Sequence, residues 1–156
     1  MSVRTVYHYF PTKEALFDGL TEAMPSMVAT PDDAVPTYPR SPAELAARMP
    51  AIYRYLEANR RMFRAMSVSE LGGRVASSRQ PERLGRMDSA LDGLRDRLDA
   101  DEYRQLRGIV GLMASFDGFD ALTDIWGLSR DKAAGAAAWA VRVLSESARR
   151  KSGLGQ

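Results

Sequence analysis

The residues with the most chemistry to offer sit at the start of the chain, in Ser2-Val3-Arg4-Thr5-Val6-Tyr7-His8-Tyr9-Phe10-Pro11-Thr12-Lys13. Helical spacing from Ser2 to Tyr9 puts Val3, Arg4, Tyr7 and His8 on one face and Val6 on the other. Phe10-Pro11 stops that helix, because a residue before proline is driven out of the α region, and Thr12 is a good N-cap for a second helix. A short polar-faced helix, a tight Pro turn and a longer helix make half of a DNA reader. Catalysis is poorly supplied by comparison. The chain has no Cys and one His, His8, which excludes a disulfide framework, a Cys nucleophile and a thiolate site, and leaves no basis for a His-based metal centre or triad. Carboxylates recur along the helices without His or Cys beside them, and no glycine-rich phosphate loop follows a strand. No enzymatic activity, cofactor or metal is expected.

The elements that must hold the opening stretch are helical throughout. The second helix is expected to run from Thr12 to about Met24 with Ala15, Leu16, Phe17 and Leu20 as its apolar stripe, before Pro25. Pro31, Pro36, Pro39 and Pro42 then mark a loop. Ser41-Pro42-Ala43-Glu44 reads as a capping box opening a helix through Leu45, Met49, Ile52, Leu56 and Phe63, kinked or restarted at Pro50. Its Arg60, Arg61 and Arg64 read as a solvated face. Gly72-Gly73 predicts an irregular break, and Pro81 the start of a helix striped by Leu84, Met87, Leu91, Leu94 and Leu98. Asp99 to Glu102 caps a long helix that is apolar on most sides from Leu106 to Trp126, so it needs partners on two faces. Its acidic edge, Asp117, Asp120 and Asp124, would suit a cationic ligand, but is expected rather in solvent or paired with Arg130 and Arg142 across the dimer. The final helix, after Gly127-Leu128-Ser129, is rich in alanine around Trp139, Val141, Val143 and Leu144, which suits close helix-on-helix packing.

The 156 residues suffice for one domain with a sizeable core. The net charge of +2 permits nucleic-acid binding without announcing it, and Arg4 and Lys13 are offset by Glu14, Asp18 and Glu22. No apolar run has the length of a membrane span and no leader pattern opens the chain, so a cytoplasmic protein without membrane contact is expected.

Thr5, Tyr7, Phe10, Lys13 and Leu16 reproduce in order the Thr-x-Tyr-x-x-Phe-x-x-Lys-x-x-Leu pattern that ends the recognition helix of the tetracycline-repressor (TetR) family, and the stretch resembles that family. Gly127 to Ala134 and the alanine-rich helix with Trp139 are similar to its final helix pair. The resemblance implies an all-α chain: a partial helix-turn-helix over 1–24, a TetR-like helical ligand-binding and dimerisation domain over 25–150, and a frayed tail over 151–156. It implies DNA contacts by Val3, Arg4, Thr5, Tyr7, His8, Tyr9 and Lys13. Arg4 suits guanine O6 and N7, Val3 or the Thr5 methyl suits a thymine methyl, and Lys13 at a helix N-terminus suits a phosphate. It implies a homodimer through Leu112, Phe116, Phe119, Ala133, Ala137, Trp139, Val141 and Leu144, and an effector pocket among Met49, Tyr53, Met62, Met66, Met87, Met113 and Phe116, since methionine adapts to irregular apolar guests.

The expected function is ligand-responsive repression, with a double-stranded operator, a small-molecule effector and a second copy of the chain as partners. In the family two helices precede the recognition helix and prop it in the groove, so a misplaced start or truncation ahead of Met1 is expected. The alternative is a ligand-binding and dimerisation module that does not bind DNA itself, or that pairs with full-length relatives.

Overall fold

The computed structural model describes residues 9–12, 15, 16, 19 and 38–151, without the side chains of residues 70, 71, 75 and 76. Every regular element among them is helical. In chain order these are α1 (Pro42–Ala58), α2 (Arg60–Ser67), α3 (Glu70–Ser78), α4 (Gln80–Ala90), the short α5 (Asp92–Arg95), α6 (Ala100–Met113), α7 (Phe116–Asp120), a π-helical turn (Ala121–Ile125) and α8 (Arg130–Lys151). The expectations for the helix over Ser2 to His8, for Lys13, for the end of the second helix near Met24, for the loop up to Thr37 and for the tail after Lys151 fall outside the described residues.

Helix starts follow the local chemistry. The Ser41 hydroxyl accepts the Glu44 N–H at 3.1 Å, while the Glu44 carboxylate takes the Arg40 N–H at 2.8 Å rather than closing a reciprocal box. At α6 the box is complete: Asp99 accepts the Asp101 and Glu102 N–H groups, and Glu102 accepts the Asp99 N–H. Pro50 neither kinks α1 apart nor restarts it; it lies exposed within a helix that continues to Ala58. The break comes instead at Asn59, whose side-chain amide donates to the Tyr55 carbonyl at 2.9 Å.

Two expected boundaries are corrected by one recurring device. The glycine pair is not irregular but lies inside α3, and the expected long helix from Asp99 to Trp126 is divided at Ala114-Ser115. At both places a serine hydroxyl donates to the carbonyl three residues back and accepts the N–H of a glycine three residues on. Ser69 links Met66 O to Gly72 N, at 3.0 Å each, and Ser115 links Leu112 O to Gly118 N at 2.8 and 3.2 Å. The serine ends one helix and caps the next. The new helix presses back so closely that a Cβ at Gly72 would lie 1.7 Å from Met66 O, and one at Gly118 2.2 Å from Leu112 O. Only glycine permits either crossing.

The core is the seam of α8 on α1, with α4 to α7 closing around it. Ala133, Ala134, Ala137, Ala138, Val141, Ser145 and Ala148 make the buried face of α8, and Leu45, Ala46, Met49, Tyr53 and Leu56 that of α1. Small side chains on α8 let the two backbones approach, so the larger residues of α1 fill the space. The alanine-rich surface is thus spent within one chain. Ala133, Ala137, Val141 and Phe119, expected at a subunit interface, are fully enclosed by the chain's own helices.

Candidate functional site

Five aromatic rings form a near-closed circuit that leaves α1 and returns to it two residues further on. Tyr53 meets Phe119 edge-on at 5.3 Å between ring centroids, Phe119 leans on Phe116 at 6.2 Å, Phe116 stacks on Phe63 at 5.2 Å, and Phe63 meets Tyr55 edge-on at 5.9 Å. The chain bends at Asn59, between α1 and α2, and at Ser115, between α6 and α7, and these bends set where Phe63 and Phe119 stand.

The two tyrosines at its ends are handled differently. The Tyr53 hydroxyl donates to the Met113 carbonyl at 2.9 Å, a group in the last turn of α6 where helical partners run out. Burial pushes the Tyr53 phenol up to about 12. The Tyr55 oxygen is also shut off from solvent, yet among the described residues it has no hydrogen-bond partner. Burial raises its pKa, with the Arg79 charge opposing, so the phenol keeps its proton.

One side of the circuit is held by charge. Arg60 lies over the Phe119 ring at 5.3 Å and donates to Asp120 through Nε at 3.2 Å and Nη2 at 3.0 Å. Arg64 donates to the same Asp120 oxygen at 2.9 Å, and both arginines also pair with Asp124. Burial alone would raise the Asp120 carboxyl, but hydrogen bonds from Arg64 and Arg60 and their charges outweigh it and hold it below its ordinary value. Arg60 and Arg64 are therefore not merely solvated, and of the acidic edge Asp120 and Asp124 are met within the chain while Asp117 is exposed. Arg130 pairs with Glu57 and Asp131.

The expected pocket residues do not all gather here. Tyr53, Met113 and Phe116 belong to the circuit or touch it, and Met49 is enclosed nearby on α1. Met62 and Met66 are half-buried on α2. Met87 stands apart in the α4–α6 seam, where its Cγ lies 3.7 Å from a Cβ built at Gly111. A separate groove of about 310 Å³ runs between α6 and α8, lined by Leu98, Leu106, Ile109, Leu144 and Ala148 with an ion pair of Glu102 and Lys151, and contains none of them. Sequence reasoning missed Tyr55 and Phe63 as site residues. Tyr53 and Tyr55 are two apart on a helix and point to different sides, so no periodicity joins them; only the turn at Asn59 does.

Of the expected dimer residues, Trp139 is 62% and Leu112 44% exposed, and Phe116 and Leu144 are half-buried. Of the expected DNA contacts, Tyr9 is described, 69% exposed with helical backbone, while Val3, Arg4, Thr5, Tyr7, His8 and Lys13 lie outside the described residues. Among the described residues no helix is long and apolar enough to cross a membrane. No family model, curated protein or solved structure matches the chain.

Proposed function

We propose that the chain is a ligand-responsive, DNA-binding transcriptional regulator of the TetR type, working as a homodimer. One observation in the opening stretch carries the reading beyond its sequence pattern. Tyr9 is helical, and after Phe10-Pro11 the Thr12 hydroxyl accepts the Ala15 N–H at 3.1 Å while its carbonyl accepts the Leu16 N–H at 3.1 Å. A helical turn thus starts at Thr12. Phe10 lies close by, with its Cε1 2.5 Å from where a Cβ at Gly19 would stand, so an aromatic ring packs against a bare backbone beyond the turn. A turn of this kind after a reading helix supports the regulator reading.

The homodimer is the part of the proposal that the fold reshapes. With the alanine face of α8 covered by α1, the surface left for a second copy is the stripe Ala136, Ala140, Val143 and Ser147, flanked by Trp139, together with Ile109 and Leu112 of α6. The regulator reading is tested by selecting sequences from a random duplex library with the natural full-length protein and measuring affinity across salt. A two-fold-symmetric site bound with a steep salt slope is expected. Failure to enrich any sequence would leave the reading of a ligand-binding and dimerisation module without DNA binding of its own.

A further inference from the structure

α2 is held in place by little of what holds α1 and α8. None of its 8 residues is fully buried, and Met62, Phe63 and Met66 are only half-buried. No side chain caps its start, and Arg60 and Arg61 stand in its first turn, where the helix dipole disfavours cations. A helix of this length does not persist by itself in water. The answer to those cations comes from across the fold. Asp120 and Asp124 each pair with both Arg60 and Arg64, and the Thr123 hydroxyl accepts Arg60 Nη2 at 2.8 Å. The Arg64 and Asp124 side chains are 46% and 43% exposed, so the clamp works within reach of water and salt.

Under α2 lies the ring circuit. Phe63 stacks on Phe116 and meets Tyr55 edge-on, and Arg60 covers the fully buried Phe119. With Phe63 against it, the Tyr55 oxygen is shut off from water and has no partner among the described residues, a cost that the shut state carries. We infer that α2 is a charge-latched lid over the circuit. Shut, it is held by Arg60 and Arg64 on Asp120 and Asp124; released, it unwinds between Asn59 and Ser69 and bares Phe116, Phe119 and the Tyr55 hydroxyl. Access to the rings is governed by ion pairs rather than by apolar packing, and a segment of that kind opens locally while the core stays folded. Neither DNA nor an effector enters into this, so the lid and the regulator reading stand or fall separately.

Native-state hydrogen exchange of the full chain, resolved by segment, tests the lid. Amides of 60–67 should exchange much faster than those of 45–56 and 133–148, and low urea should hardly change their rate while it speeds the core segments steeply, the mark of a local against a global opening. Raising salt from about 0.05 to about 0.5 M should speed the 60–67 amides roughly 3-fold. Replacing both acceptors, Asp120→Asn with Asp124→Asn, should speed them roughly 10-fold and abolish most of that salt response. The salt series on wild type gives the same reading with no substitution. Hydroxyl-radical labelling of Phe119, enclosed while the lid is shut, should rise both in the double variant and at high salt, which fraying at one end of α2 does not produce. If the 60–67 amides share the rate and urea dependence of the core, if they respond neither to salt nor to loss of the two carboxylates, or if Phe119 labelling stays unchanged, α2 is no lid.

Discussion

Arg60 and Asp120 meet across 60 residues of chain, with both guanidinium bonds falling on one carboxylate oxygen at 3.2 and 3.0 Å. The contact fastens the start of α2 to the end of α7, the two segments that bring Phe63 and Phe116 together. Arg64 shares that oxygen, so the carboxylate is bonded from two turns of the same helix.

Removing Asp120 should therefore loosen the circuit. Asp120→Asn is expected to cost about 1–2 kcal/mol in urea unfolding, above the range of an exposed pair because Arg60 also loses its hold over Phe119. The acid dependence follows from the sign of the shift. A folded carboxyl held below its ordinary value of 3.8 contributes stability that is present above that pH and lost as pH falls below it. The difference between wild type and Asp120→Asn should accordingly shrink below about pH 4.

The two serine-glycine crossings give a sharper test. Gly118→Ala should destabilise by about 2 kcal/mol or more, since its Cβ has no room beside Leu112 O. Gly135→Ala, where nothing lies within 4 Å, should be neutral or stabilise by up to about 1 kcal/mol, because alanine is the better helix former. Chemical denaturation of both variants checks the pair.

Alkaline titration reports on the phenols. Burial, then the hydrogen bond to Asp88 at 2.9 Å and its charge, push Tyr103 up to about 12, although Arg107 and Arg95 lie at its ring. A phenol raised above its ordinary 10.0 lends stability that is complete below that value and lost as pH rises toward 12. Absorbance at tyrosinate wavelengths should show a late phase, and Tyr103→Phe should remove part of its amplitude.

Much of this fold is legible in the residues. The Ser41, Asp99 and Thr12 caps mark helix starts from composition alone, because capping is a local affair of three or four residues. The divisions at Ser69 and Ser115 were not legible: each needs a serine and a glycine to act together under tertiary pressure, and either residue alone reads as helix or as loop. For the same reason the alanine face of α8 reads from the sequence as a subunit interface, whereas it packs on α1. Small residues announce close approach without naming the neighbour.

That ambiguity decides how the dimer should be tested. Ala137→Arg would place a guanidinium inside the α1–α8 seam and is expected to unfold the chain rather than separate subunits. Leu112→Asp and Trp139→Asp act on exposed positions, so in sedimentation wild type should run as a dimer and both variants as folded monomers.

The central claim is that the opening stretch reads DNA, and Arg4 tests it most directly. With the natural full-length protein and its selected duplex, Arg4→Ala should weaken binding by about 1–3 kcal/mol and relax preference at one base pair in each half-site, while helical content is unchanged. Equal affinity and equal sequence preference in wild type and Arg4→Ala would contradict the account.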